Sequence, residues 1–123
     1  MRRYKKPSKR EIASNLHRLL PSKIKIGYAD YKIEKRSSQF CEREDMFGDC
    51  DTKLSRIRYN IAQSRKELAN TILHEILHAL FHTEGITVPA RTEEFVVRNL
   101  ANGLLGFIQD NPKFLNWLKR ASL

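Results

Sequence analysis

The chain is 123 residues long, with 41% hydrophobic residues and a formal net charge of +9. That is enough for one domain with its own core, and no apolar run approaches the ~20 residues of a membrane-spanning helix. The positive excess is uneven: residues 1–40 hold 12 Lys/Arg against 3 Asp/Glu, whereas residues 41–123 are balanced at 11 against 11.

Residues 1–10 carry six cations and no apolar stretch, so they read as a basic arm ahead of a single domain spanning 11–123. A basic start without an apolar segment behind it is not a secretory leader, and a cytoplasmic protein is expected. Residues 9–20 follow as a short amphipathic helix, with Ile12, Leu16, Leu19 and Leu20 at helical spacing and Ser8 as N-cap. Pro21 ends it.

Residues 23–35 are rich in β-branched and aromatic types and are expected to be extended, with a bulge or turn at Gly27 or Ala29-Asp30. Residues 36–52 are polar and contain Gly48, the pattern of a loop or hairpin connection. Cys41 and Cys50 frame an acidic stretch there. Their spacing is not that of a zinc or redox pair, and reduced thiols are expected in the cytosol. Residues 54–61 alternate apolar and polar, which predicts a strand. If that strand is the sheet edge, an extended peptide could add to it.

Ser64-Arg65-Lys66-Glu67 is a capping box opening a helix over about 65–83, with Gly85 at the position of a C-terminal cap. A second helix is predicted over about 91–109. Asn111-Pro112 then opens a last short helix, with Pro at its first position. Helix, strands and three helices in that order define an α+β class, with a small antiparallel sheet beside a helical layer.

Inside the 65–83 helix stands His74-Glu75-Ile76-Leu77-His78, an H-E-x-x-H motif. Residues four apart share a helix face, so the two imidazoles can grip one zinc ion while Glu75 acts as general base on water. Two ligands are not enough, because catalytic zinc sites use three from the protein. His82 lies ~12 Å along the axis from His74 at 1.5 Å per residue, too far to share an ion on an unbroken helix. The next helix offers Glu93 and Glu94. Its apolar positions Val96, Val97, Leu100, Leu104, Phe107 and Ile108 centre roughly 10–20° from Glu93 at ~100° per residue. Glu93 is therefore expected to face inward as third ligand, with Glu94 the alternative. Tyr59, His82 or an arginine could stabilise an oxyanion.

The stretch from Thr71 to Leu80, with Glu93-Glu94-Phe95-Val96-Val97 and Asn111-Pro112 beyond it, resembles the gluzincin type of zinc metallopeptidase. Within that type it is similar to the small ImmA/IrrE-like and phage- or prophage-encoded members. The resemblance covers about a third of the chain. It implies a minimal zincin-like domain and zinc-dependent hydrolysis of a protein or peptide substrate. It also implies His74 and His78 as ligands, Glu75 as base and one of Glu93/Glu94 as third ligand. The His78-to-Glu93 gap is short, and no Asp follows four residues after either Glu to orient a ligand histidine. A competing expectation rests on the basic start: a nucleic-acid-binding module whose zinc site is structural or vestigial.

Overall fold

A computed structural model describes residues 16–36 and 47–123. The basic arm, Ser8 to Asn15 of the first expected helix, and Cys41 with its acidic neighbours lie outside the described residues. The last part of that helix is described, as a single 3-10 turn over Leu16–Leu19 rather than α-helix.

Four strands follow: β1 (Lys23–Ile26), β2 (Ala29–Arg36), β3 (Gly48–Asp51) and β4 (Arg56–Asn60). Three helices complete the chain: α1 (Arg65–Thr83), α2 (Ala90–Asp110) and α3 (Pro112–Ala121). The α+β class is as expected, and the sheet packs on the helix that carries the H-E-x-x-H motif. The sheet order is β1-β2-β4-β3. β1 and β2 form an antiparallel hairpin turning at Gly27-Tyr28, and β3 and β4 are also antiparallel. Between them β2 and β4 run parallel, with Lys32 opposite Arg56 and Arg36 opposite Asn60. The sheet is thus mixed where a purely antiparallel one was expected. β3 returns along the far edge and leaves a gap into which β4 inserts beside β2.

β3 was expected to be loop, for a physical reason. Gly-Asp-Cys-Asp has no apolar alternation, and Gly and Asp are poor strand formers. It is a strand because of what lies opposite. Asp49 faces Arg58 and Asp51 faces Arg56 across the ladder. Arg58 Nε donates to Asp49 Oδ1 at 2.8 Å, and Arg56 Nη2 lies 3.7 Å from Asp51 Oδ2. Opposite charges on directly facing residues favour the pairing.

α1 starts as its capping box predicts, with the Ser64 hydroxyl accepting from Glu67 N–H at 3.2 Å. It stops at a Schellman turn. Gly85 sits at φ +68°, Ile86 N–H donates to Phe81 C=O at 2.8 Å and Gly85 N–H to His82 C=O at 3.2 Å. The helix is buried on two sides. Toward the sheet, Leu68, Ile72 and Ala79 pack with Ile26, Tyr31, Ile57 and Tyr59. Toward α2, Leu77 packs with Val97 and Ala101, flanked by Leu73, Leu80, Phe81 and Leu104. Full burial of one such aliphatic side chain is worth about 1.5–3 kcal/mol relative to exposure. These two contacts fix the rotation of α1 about its axis, and so the aim of its histidines.

Candidate metal centre

His74 and Glu75 are buried, each 6% exposed, and His78 stands one turn on. The two imidazole centroids are 5.0 Å apart, at 62° to one another. Ligand atoms of His74, Glu75 and His78 all lie within 4.8 Å of each other. The motif's three polar residues therefore converge, as i, i+1 and i+4 on one helix can.

The first turn of α2 brings two carboxylates to the same place. Glu94 uses both oxygens: Oε1 is 3.2 Å from His74 Nε2 and Oε2 is 2.9 Å from His78 Nε2. Glu93 meets the other side of one ring, with Oε2 2.6 Å from His78 Nδ1. The carboxylate that faces both histidines is thus Glu94, where the apolar pattern of α2 pointed to Glu93. That pattern mixes two stripes. Val97 and Ala101 are buried, whereas Val96, Leu100 and Phe107 are 36%, 45% and 44% exposed. Counting the exposed stripe as inward rotates the apparent core toward Glu93. With the buried residues alone, the two glutamates flank the inward face, Glu93 roughly 60° and Glu94 roughly 40° from its centre at ~100° per residue.

Two imidazole nitrogens and a carboxylate oxygen suit zinc. The N···O separations of 2.9 and 3.2 Å are near the ~3.3 Å that ligands ~2.05 Å from a tetrahedral zinc keep between them. The donor set fits the metal in type and spacing. The neighbouring groups also act on His78. Burial opposes charge on that ring, but the hydrogen bond to Glu93, the charge of Glu75 and the contact with Glu94 outweigh it and raise its pKa above the ordinary value.

The cluster opens into a cavity of about 580 Å³ between β3, the second half of α1, residues 85–88 and the start of α2. Phe81, Ile86 and Val88 give it an apolar wall. Among the described residues, no Lys or Arg lines it. Of the three expected oxyanion partners, His82 lines the cavity and Tyr59 does not. Tyr59 is 4% exposed in the sheet core, and burial raises its pKa.

β4 was weighed as the strand nearest the site. It is internal, and among the described residues the edge strand over the site is β3. Asn60 N–H donates to Phe47 C=O at 2.9 Å, so by the antiparallel alternation Asp49 and Asp51 turn their backbone groups to β4. Gly48 and Cys50 turn theirs to the opposite side, where no further strand lies among the described residues. On the helix side, Gly48 is pressed so close that an added Cβ would lie 2.7 Å from Thr71 Cγ2, 2.8 Å from Arg58 C=O and 3.7 Å from Glu75 Cγ. Only glycine lets the edge strand rest on the helix beside Glu75.

A buried polar relay holds that contact. Gln63 Nε2 donates to Phe47 C=O at 3.1 Å and to Asn60 C=O at 2.7 Å, and Thr71 Oγ1 donates to Gln63 Oε1 at 2.7 Å. Gln63 and Thr71 are 4% and 0% exposed. Gly48, Cys50, Gln63 and Thr71 carry no signal in a pattern of periodicity; only the fold brings them to the motif. Cys50 faces the cluster, and its thiol is pushed up to about 12 by burial, reinforced by the charges of Glu75, Asp49, Asp51 and Glu93.

Searches against family models, curated proteins and solved structures found no match to the chain. No helix among the described residues is long and apolar enough to cross a membrane. What can be said of function therefore rests on the site.

Proposed function

We propose that the chain is a zinc-dependent, metallopeptidase-like hydrolase of the gluzincin type, acting in the cytosol on extended segments of protein or peptide. The observation that carries this reading is the placement of one carboxylate, Glu94, against Nε2 of both motif histidines, with Glu75 buried beside them. His74, His78 and Glu94 would hold the metal. When bound, zinc supplies Lewis acidity that makes water a nucleophile near neutral pH and polarises a carbonyl.

The chain's own residues supply the rest. Glu75, adjoining the ligands and opening on the cavity, takes a proton from the attacking water and returns it to the departing amine. His82 lines the same cavity and is the donor for the oxyanion. An extended substrate adds to β3 as a further strand, hydrogen-bonding to the outward backbone groups of Gly48 and Cys50. Its scissile carbonyl is thereby laid beside Glu75, because Gly48 lets the strand rest there. The apolar wall of Phe81, Ile86 and Val88 favours an apolar side chain next to the scissile bond.

The test is metal content and proteolysis together. Protein purified without chelator is expected to hold one zinc per chain and to cleave an unfolded protein such as reduced casein. Glu75→Gln should keep the zinc and lose at least ~10²-fold in rate. A wild-type chain that takes up no stoichiometric zinc would sink the reading.

A further inference from the structure

Glu93 and Glu94 are neighbours in sequence, yet they approach His78 from opposite edges of its ring. Glu94 meets Nε2 at 2.9 Å and Glu93 meets Nδ1 at 2.6 Å. Of these two glutamates it is Glu94 that is also in contact with His74, at 3.2 Å. That second contact makes the division independent of which way the His78 ring is turned: one carboxylate is shared between the two histidines and the other is not. An ion held by both imidazoles and Glu94 sits on the Nε2 side of His78. Glu93, on the Nδ1 side, cannot reach it.

We propose, resting on the metal-site reading above, that Glu93 is a positioning residue for the metal site. It accepts the Nδ1–H of His78, holds that ring in place and leaves the lone pair on Nε2 for the metal. A histidine has one proton to place when neutral, and the group that accepts it decides which nitrogen is left to coordinate. A carboxylate partner also makes the imidazole a stronger ligand. Sequence neighbours can divide the work in this way because they stand ~100° apart on the helix, one on each side of its buried face. A simpler role for Glu93 exists: an acid in the first turn of a helix is favoured by the helix dipole alone. The two roles differ in what they do to the metal.

The experiment uses the full chain, with Co²⁺ as a spectroscopic stand-in for zinc and a chelator competition to measure zinc affinity. Wild type, Glu93→Gln, Glu93→Ala and Glu94→Ala are compared, with circular dichroism to confirm folding of each. If Glu93 positions His78, Glu93→Ala keeps the wild-type Co²⁺ band shape but binds zinc about 10–100-fold more weakly. Glu93→Gln, which retains an acceptor oxygen, recovers part of that loss. Glu94→Ala changes the band itself, because a ligand is gone. Zinc affinity unchanged within twofold in Glu93→Ala overturns the proposal and leaves the helix-dipole role. A band altered in Glu93→Ala but not in Glu94→Ala also overturns it, by making Glu93 the ligand. Should wild type bind neither metal, the metal-site reading fails and this proposal with it, an outcome distinct from either of those.

Discussion

Helices α1 and α2 both send side chains to the candidate metal centre, but they are held differently. α1 buries Leu68, Thr71, Ile72, His74, Glu75, Leu77 and Ala79, and is gripped between the sheet and α2. α2 buries only Val97 and Ala101. Its remaining apolar residues include a second stripe, Val96, Leu100 and Phe107, that stays exposed. On α1 the spacing inside the motif suffices to say that the histidines converge. On α2 an apolar pattern says that the helix is amphipathic without saying which stripe is covered. The aim of its glutamates therefore depends on the partner helix.

The sharpest way to break this comparison is to truncate one apolar residue on each helix. Ile72→Ala should destabilise the protein by about 2–5 kcal/mol in urea unfolding, since it leaves a cavity between α1 and the sheet. Leu100→Ala, on the exposed stripe of α2, should cost no more than about 0.5 kcal/mol. Comparable losses would mean that something covers the second stripe.

A smaller effect is expected where α1 meets the edge strand. Gly48→Val must displace either Thr71 or the backbone at Arg58, at a cost of about 1–3 kcal/mol. Because the strand moves away from Glu75, KM for an extended substrate should rise as well. An unaltered KM would detach β3 from substrate binding. Gln63→Ala removes its buried hydrogen bonds to Phe47 C=O, Asn60 C=O and the Thr71 hydroxyl, and should lower stability by about 1–3 kcal/mol with the same direction of change in KM.

The last effect is absent at neutral pH and confined to alkaline pH. The Cys50 thiol titrates near 9.0 when unfolded and at about 12 when folded, so the folded state favours its protonated form. Its contribution to stability is complete below pH 9 and is lost as pH rises toward 12. In a Cys41→Ser background, Cys50 should react with a disulfide reagent at pH 8 at least tenfold more slowly in the native than in the unfolded protein. Equal rates would show that the thiol is neither buried nor opposed by its acidic neighbours.

Much of this fold is visible before any coordinates. The capping box at Ser64 and Gly85 bracket α1, Pro112 opens α3, and the alternation over 54–61 marks β4 within a residue or two at each end. Each of those signals is local: a hydroxyl for a free N–H, a left-handed φ, a missing N–H, a side-chain period. What is not visible is pairwise. β3 is strand because two arginines lie across from its two aspartates. The parallel step from β2 to β4 follows from where β3 goes. Gln63 and Thr71 matter only because the fold brings them to the carbonyl of Phe47.

The sequence by itself determined that His74, Glu75 and His78 share one face of a capped helix, because helical geometry alone sets the distance between residues one turn apart. It also determined that an acidic pair begins the following helix. Only the tertiary structure decided how that pair is divided, with Glu94 between both imidazoles and Glu93 behind one of them. It decided, too, that β3 rather than β4 borders the cavity. Both outcomes depend on the rotation and placement of whole elements against one another. That is set by which apolar stripe is buried and how closely two backbones can approach, and neither is a property of any short stretch of sequence.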